Sequence, residues 1–282
     1  MKFVKMQGTG NDFVLVDGRE TERDWPLLAR EMCQRHFGIG SDGLLVVLPS
    51  RSADVRMRMF NPDGSEAEAC GNGIRCFAKY AGESGIDREE GLRIETLAGI
   101  RDVQHFWEGG LIQRVRVGMG RPRLGAGDIP VTLEGGETVV PILHYPLVIE
   151  GRRLPLTLVS MGNPHAVCFL DEPIDDFPLA ELGPMVEHHP MFPQRANFEV
   201  ANMLLGGEIR ARVWERGAGA TLSCGTGACA IAVAARLHGY IENVVDITLP
   251  GGKLTLEWDG GGEVYLSGPA GTIFTGEWPE KE

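Results

Sequence analysis

The sequence predicts a strand-rich chain built as two copies of one half, each with a sheet wrapped around a buried helix. Three observations predict it. Short apolar segments with period-two alternation, bounded by Gly, Pro, Asp or Asn, recur along the chain. The run from Thr226 to Leu237 is apolar nearly all round, and a helix without a polar face is buried on every side. A Cys-Gly-x-Gly motif occurs twice, at Cys70-Gly71-Asn72-Gly73 and Cys224-Gly225-Thr226-Gly227, 154 positions apart.

Taken in order, residues 3–6, 13–16, 44–48, 55–59, 92–96 and 111–117 read as strands of the first part. Residues 155–159, 166–170, 208–214, 244–249, 253–258 and 263–266 continue the pattern. Asp24 is an N-cap with Pro26 in the first turn, and that helix is expected to run to about His36. A short helix is expected near Pro178–Leu182. Between Asn72 and Ala81, the spacing of Ile74, Phe77, Ala78 and Ala81 predicts a helix face; with Arg75 and Lys79 it reads as less enclosed than the one at Thr226–Leu237. The 154-residue offset also sets Phe60 against Trp214 and Arg58 against Arg212. Gly10-Asn11 matches Gly162-Asn163 at an offset of 152. Three matches in one order indicate a duplication, with its seam in the Gly/Pro-rich stretch 120–130.

Composition narrows the function. With 282 residues, 43% of them hydrophobic, the chain buries a sizeable core and is not disordered. A net charge of −12 with five lysines argues against nucleic acid or an anionic membrane as partner. The N-terminal residues turn polar before a signal-peptide core forms, and no apolar run reaches the ~18 residues that span a bilayer. The expectation is a soluble, cytoplasmic protein. Of its six cysteines none forms a CxxC, so neither a zinc ribbon nor a thioredoxin-type motif is present.

Each half therefore offers a strand, a turn, Cys-Gly and a helix N-terminus. Free backbone N–H groups and the positive end of the helix dipole meet there, which suits an anion such as a carboxylate. The same field is expected to lower the pKa of a cysteine at that position, so Cys70 and Cys224 are candidate reactive thiols. Cys33, Cys76, Cys168 and Cys229 read as core residues. Taken singly, each motif is a tight turn; taken as a pair, the two suit stereochemical inversion, with a base on one face of a carbon and an acid on the other. That route needs no pyridoxal cofactor. Glu215 and Arg216 lie side by side before the second cysteine, where Arg forks to a carboxylate and Glu accepts from an ammonium. Asn11, Asn61, Asn163 and Asn197 occupy turn or strand-end contexts, and His165 is a group able to orient substrate or thiol.

The residues that carry a resemblance are Phe3, Lys5, Gly8 and Gly10-Asn11-Asp12-Phe13; Phe60-Asn61 and Asp63-Gly64-Ser65-Glu66-Ala67 running into Cys70-Gly71-Asn72-Gly73, Arg75 and Cys76; Asn163-Pro164-His165; and Trp214-Glu215-Arg216-Gly217 running into Cys224-Gly225-Thr226-Gly227-Ala228-Cys229-Ala230. From residue 3 to about 230 the chain resembles the diaminopimelate epimerase family. The resemblance implies an α/β (α+β) fold of two pseudo-symmetric domains, each a curled, mostly antiparallel sheet around a central helix. It places residues 1–120 with 268–282 in the half carrying Cys70, and 121–267 in the half carrying Cys224. It implies cofactor-independent interconversion of LL- and meso-diaminopimelate, without cofactor or metal, in lysine and peptidoglycan precursor synthesis, by a homodimer. Cys70 and Cys224 would exchange base and acid roles, with His165 and Glu215 assisting. Asn11, Asn61, Asn163, Asn197, Glu215 and Arg216 would bind substrate, and the backbones of Gly71-Asn72 and Gly225-Thr226 the reacting carboxylate. Gly43 stands where many members carry a substrate-contacting Gln. The rival readings are a two-thiol proline or hydroxyproline racemase, against which the Glu215-Arg216 pair speaks, and a non-catalytic thiol, redox or metal-binding protein.

Overall fold

The computed structural model of the chain describes residues 1–68, 70–86, 91–133 and 139–279. Residues 280–282, part of the expected first half and including Lys281, lie outside them. The chain divides into two compact units, Met1–Gly118 with Ser267–Glu282, and Met119–Leu266.

The first unit runs β1 (Lys2–Gly8), β2 (Asn11–Asp17), α1 (Trp25–Met32), β3 (Gly43–Leu48), β4 (Val55–Phe60), β5 (Glu66–Ala67), α2 (Gly71–Glu83), β6 (Gly91–Thr96), β7 (Gly99–Glu108) and β8 (Leu111–Gly118). The second runs β9 (Tyr145–Ile149), β10 (Arg152–Ser160), β11 (Pro164–Phe169), α3 (Leu179–Glu187), β12 (Asn197–Met203), β13 (Ile209–Glu215), β14 (Gly219–Thr221), α4 (Gly225–Leu237), β15 (Val244–Leu249) and β16 (Gly252–Glu257). The chain then passes through β17 (Tyr265–Gly268) to β18 (Gly271–Glu277), which pairs with β1.

The units repeat one connectivity. In each, an antiparallel hairpin (β1–β2, β10–β11) leads through a helix to a strand parallel to its second member. There Leu15 faces Leu45, and Val167 faces Glu199. The next strand returns antiparallel, pairing Leu45 with Met59 and Glu199 with Val213. After the Cys-Gly turn and the second helix, β6 and β15 run parallel to β4 and β13. Parallel neighbours require a crossover, and the helices supply it. α2 and α4 are 13 residues each and begin 154 positions apart.

The expectation of curled sheets is not met. The strand pairing builds sheets that are neither closed nor strongly curled. The physical reason lies in layering. In the first unit Trp25, Ala29 and Met32 of α1 pack with Val14, Val16, Leu44 and Val46. The next residue, Leu45, points to the opposite face and lies under Gly73 of α2. With a helix on each face, a sheet needs no closure to bury its apolar residues. In the second unit Leu179, Leu182 and Val186 of α3 pack with Phe198 and Val200, while α4 packs on β10, β11, β12, β15 and β16.

Three helical expectations shift as well. α1 starts as expected, with the Asp24 carboxylate accepting from Leu27 N at 3.0 Å, but ends at Met32 rather than His36. The amides of Ile39 and Gly40 both donate to Met32 O, folding the chain back. α3 continues through Pro184 to Glu187, because Leu182 and Val186 keep an apolar face on the core. Arg75 and Lys79 are buried rather than less enclosed. Arg75 donates to Thr9 Oγ1, Gly71 O and Pro269 O, and Lys79 to Glu83 Oε1 and Ile112 O. These partners make burial of two cations affordable.

Candidate active site

Both motif cysteines cap a helix. Cys70 precedes α2 with φ −129° and ψ 122°, and Cys224 precedes α4 with φ −122° and ψ 115°. Extended backbone at the cap leaves the first amides of each helix aimed past the cysteine. All six cysteines are thiols. Cys33, Cys76, Cys168 and Cys229 are buried, and burial pushes the Cys76 and Cys168 thiols up to about 12.

Around Cys224 the second unit gathers a polar cluster from four elements. Gly227 N donates to Cys224 Sγ at 3.4 Å, and Thr226 Oγ1 lies 3.5 Å from the same sulfur. β11 supplies His165, whose Nε2 is 2.9 Å from Asn163 Oδ1 and whose Nδ1 is 2.7 Å from Glu199 Oε1 on β12. Asn163 Nδ2 donates to Thr226 Oγ1 at 3.4 Å, tying this chain to the cysteine turn. Glu215 ends β13 and accepts from Thr221 Oγ1. Burial raises the Glu215 carboxyl, with hydrogen bonds from Thr221 and Cys224 acting against it and the Glu199 charge adding to it.

The expected lowering of the thiol pKa does not hold at Cys224. Burial pushes this thiol well above its ordinary value, the Glu215 and Glu199 charges push it the same way, and the bonds from Thr226 and the Gly227 amide only partly offset them. Desolvation of a thiolate outweighs the helix dipole here. Cys224 is therefore a thiol at neutral pH.

Asn197 is buried, donating to Pro164 O at 2.9 Å and accepting from Arg216 N at 2.9 Å, so its side chain braces the Glu215-Arg216 turn. Arg216 is exposed and reaches Gln194 O at 3.0 Å.

The half-exposed Cys70 belongs to a different set of neighbours. Asn72 Nδ2 donates to Asn11 Oδ1 at 2.5 Å, and Asn11 Nδ2 to Asp42 Oδ2 at 3.1 Å. Thr9 Oγ1 donates to Asn72 Oδ1 at 3.3 Å and accepts from Arg75 Nη2 at 2.9 Å. Asn61 donates to Ser65 Oγ in the turn that follows β4. Gly43 heads β3, where a Cβ would lie 2.9 Å from Phe60 O, so the ladder itself excludes a side chain unless the backbone shifts.

The structure thus joins Asn11, Asn72 and the Cys70 turn in one unit, and Asn163, His165, Thr226, Glu215 and Cys224 in the other. Asn61 and Arg216 stand at the margins of these clusters. The sequence reading gave Glu199 and Arg75 no place in the site. Glu199 lies on a strand without alternation, because β12 is buried on both faces from Asn197 to Ala201. The signal that finds it is the repeat itself, which aligns it with Leu45. Among the described residues no group of three His, Cys, Asp or Glu is placed to hold a metal ion, and no helix is long and apolar enough to cross a membrane.

Fold and site together define a class: a duplicated α/β protein in which each half sets a cysteine at the start of a buried helix. Solved structures with the same fold include a probable proline racemase from Agrobacterium radiobacter K84 (TM-score 0.70, 17% identity, 99% of this chain and 93% of that one). A phenazine biosynthesis protein of the PhzF family from Bacillus anthracis also matches (TM-score 0.70, 18% identity, 99% of both chains). At such identities they share the fold alone. The sequence matches the family model described as diaminopimelate epimerase over residues 3–125 and 157–273. Diaminopimelate epimerases of Pelotomaculum thermopropionicum and Moorella thermoacetica are each 50% identical to it, over 99% of both chains. The chain belongs to the diaminopimelate epimerase family.

Proposed function

We propose that this chain inverts one α-carbon of LL-diaminopimelate to give the meso isomer, and the reverse, with Cys70 and Cys224 as base and acid. Membership of the family at 50% identity over nearly the whole chain supports the activity. The observation that carries the residue assignment is the repeated device, a cysteine capping a helix in each half. Inversion requires one proton to leave a carbon and another to arrive on its opposite face. One thiolate takes the α-hydrogen as a proton, and the electron pair left behind spreads onto the substrate carboxylate. The other thiol protonates the carbon and becomes a thiolate. The reverse reaction exchanges the roles.

The amides of Gly71-Asn72 and Gly225-Thr226 are donors for the reacting carboxylate, where negative charge grows. His165 and Glu215 assist beside Cys224. At the distal end of the substrate, Glu215 accepts from an ammonium and Arg216 forks to a carboxylate, with Asn11, Asn61, Asn163 and Asn197 completing the contacts. On this reading the enzyme works without cofactor or metal. It is a cytoplasmic homodimer of lysine and peptidoglycan precursor synthesis, with neither nucleic acid nor membrane as partner. The test is reduced protein with LL-diaminopimelate in D2O, no pyridoxal phosphate added. Meso product carrying deuterium at the α-carbon is expected, with turnover down about 10²–10⁴-fold in Cys70→Ser and in Cys224→Ser. No exchange while both thiols titrate as reduced overturns the reading.

A further inference from the structure

The two halves share register but not chemistry. The offset that aligns the cysteines also aligns Leu45 with Glu199, and both lie under the second glycine of the motif. A Cβ on Gly73 would meet Leu45 Cδ2 at 3.4 Å, and one on Gly227 would lie 2.9 Å from Glu199 Oε1 and 3.4 Å from Cys224 Sγ. Likewise Phe13 faces Gly43 across its parallel ladder as His165 faces Asn197. The first half therefore buries Phe13 and Leu45 where the second buries His165 and Glu199, all fully or almost fully. An apolar pair satisfies the fold at these positions, so packing alone does not require the ionisable one.

The hydrogen bonds around that pair fix its proton inventory. Asn163 Nδ2 donates to Thr226 Oγ1, so Oδ1 faces His165 and Nε2 carries a hydrogen. Nδ1 and Glu199 Oε1, 2.7 Å apart, then share one further proton. Whichever atom holds it, the pair has no net charge. Glu199 Oε2 is buried and has no hydrogen-bond partner among the described residues. The ionisable groups that interact with Glu199 are His165 on β11, Glu215 at the end of β13 and Cys224 at the start of α4.

We infer that Glu199 is a positioning residue for the epimerase reaction. Through His165 Nδ1 it orients the ring that anchors Asn163 and the Cys224 turn, and the proton it shares with that ring keeps it from facing the Cys224 thiolate as a bare carboxylate. It touches no reacting atom. Without the shared proton, the Cys224 thiolate would form beside two uncompensated carboxylates, Glu199 and Glu215. The inference rests on the reading of Cys224 as an acid/base thiol.

The experiment is Glu199→Gln, with Glu199→Asp alongside. In Glu199→Gln, kcat is expected to fall about tenfold or more with KM within about twofold, and the pH profile of kcat to move, with Glu199→Asp restoring its shape. Proton and ¹⁵N NMR of His165 is the second readout. The wild type should show the far-downfield proton of a short N···O bridge, and Glu199→Gln a neutral ring protonated at Nε2 alone. Wild-type kcat and pH profile in Glu199→Gln, or no bridging proton in the wild type, overturns the inference. Should Glu199→Gln not fold, the double variant His165→Phe/Glu199→Leu copies the first half. It is expected to fold with kcat reduced, and full activity in it also overturns the inference. Lack of epimerisation by the wild type would remove the functional reading, while the NMR result still decides whether the proton is shared.

Discussion

At the scale of single residues, the asymmetry between the thiols is the feature with measurable consequences. Cys224 is 6% exposed and its thiol is raised by burial and by Glu215, whereas Cys70 is half-exposed. Iodoacetamide at neutral pH, followed by peptide mass mapping, is expected to label Cys70 first and to spare Cys76 and Cys168. Replacing Glu215 with Gln removes a negative charge beside Cys224, so the pH midpoint for alkylating Cys224 should fall; an unchanged or higher midpoint would contradict the assigned coupling. The cysteines were legible because one short pattern, Cys-Gly-x-Gly, occurs twice. Glu199 was not, since a carboxylate inside a buried strand produces no local pattern and only the partner strands reveal what it faces.

At the scale of elements, each helix start depends on what its neighbours allow. Gly227 leaves no room for a side chain: a methyl group there would lie 3.3 Å from Cys224 Cβ as well as 2.9 Å from Glu199 Oε1. Gly227→Ala is expected to cost about 1–3 kcal/mol, read as a lower midpoint in thermal or urea unfolding, and to reduce turnover by displacing the cysteine turn. Asp24→Ala removes only the cap of α1 and should cost about 1 kcal/mol with turnover unchanged. Helix starts were well marked in sequence, by Asp24 and by the two Cys-Gly turns. The ends of α1 and α3 were not, because a returning turn stops one and a packed apolar face carries the other past a proline. The half-buried, alternating strands could be read; β12, buried on both faces, could not.

At the scale of the whole molecule, acid stability sums opposing groups. Burial opposes ionisation of Asp12, but its contacts with Lys5 and Arg35 outweigh it and hold that carboxyl below the ordinary range. Arg58 holds Glu66 below it too. Lowered carboxyls stabilise the fold above the unfolded value and lose that contribution as pH falls through the folded one, so melting should drop below about pH 4. Asp12→Asn should flatten part of this drop in calorimetric scans. Glu199 and Glu215, raised by burial, act in the opposite sense, losing stability as pH rises through their folded values. The sequence alone determined the duplication, the cysteine at each helix start and the family with its activity, because these depend on residue identity and spacing along one chain. Only the tertiary structure decided that the sheets stay open between helical layers, that Arg75 is buried in a hydrogen-bonded socket, and that a carboxylate stands behind Cys224 where leucine stands behind Cys70. Those facts depend on which strands become neighbours and what burial does to charge, and neither is encoded locally.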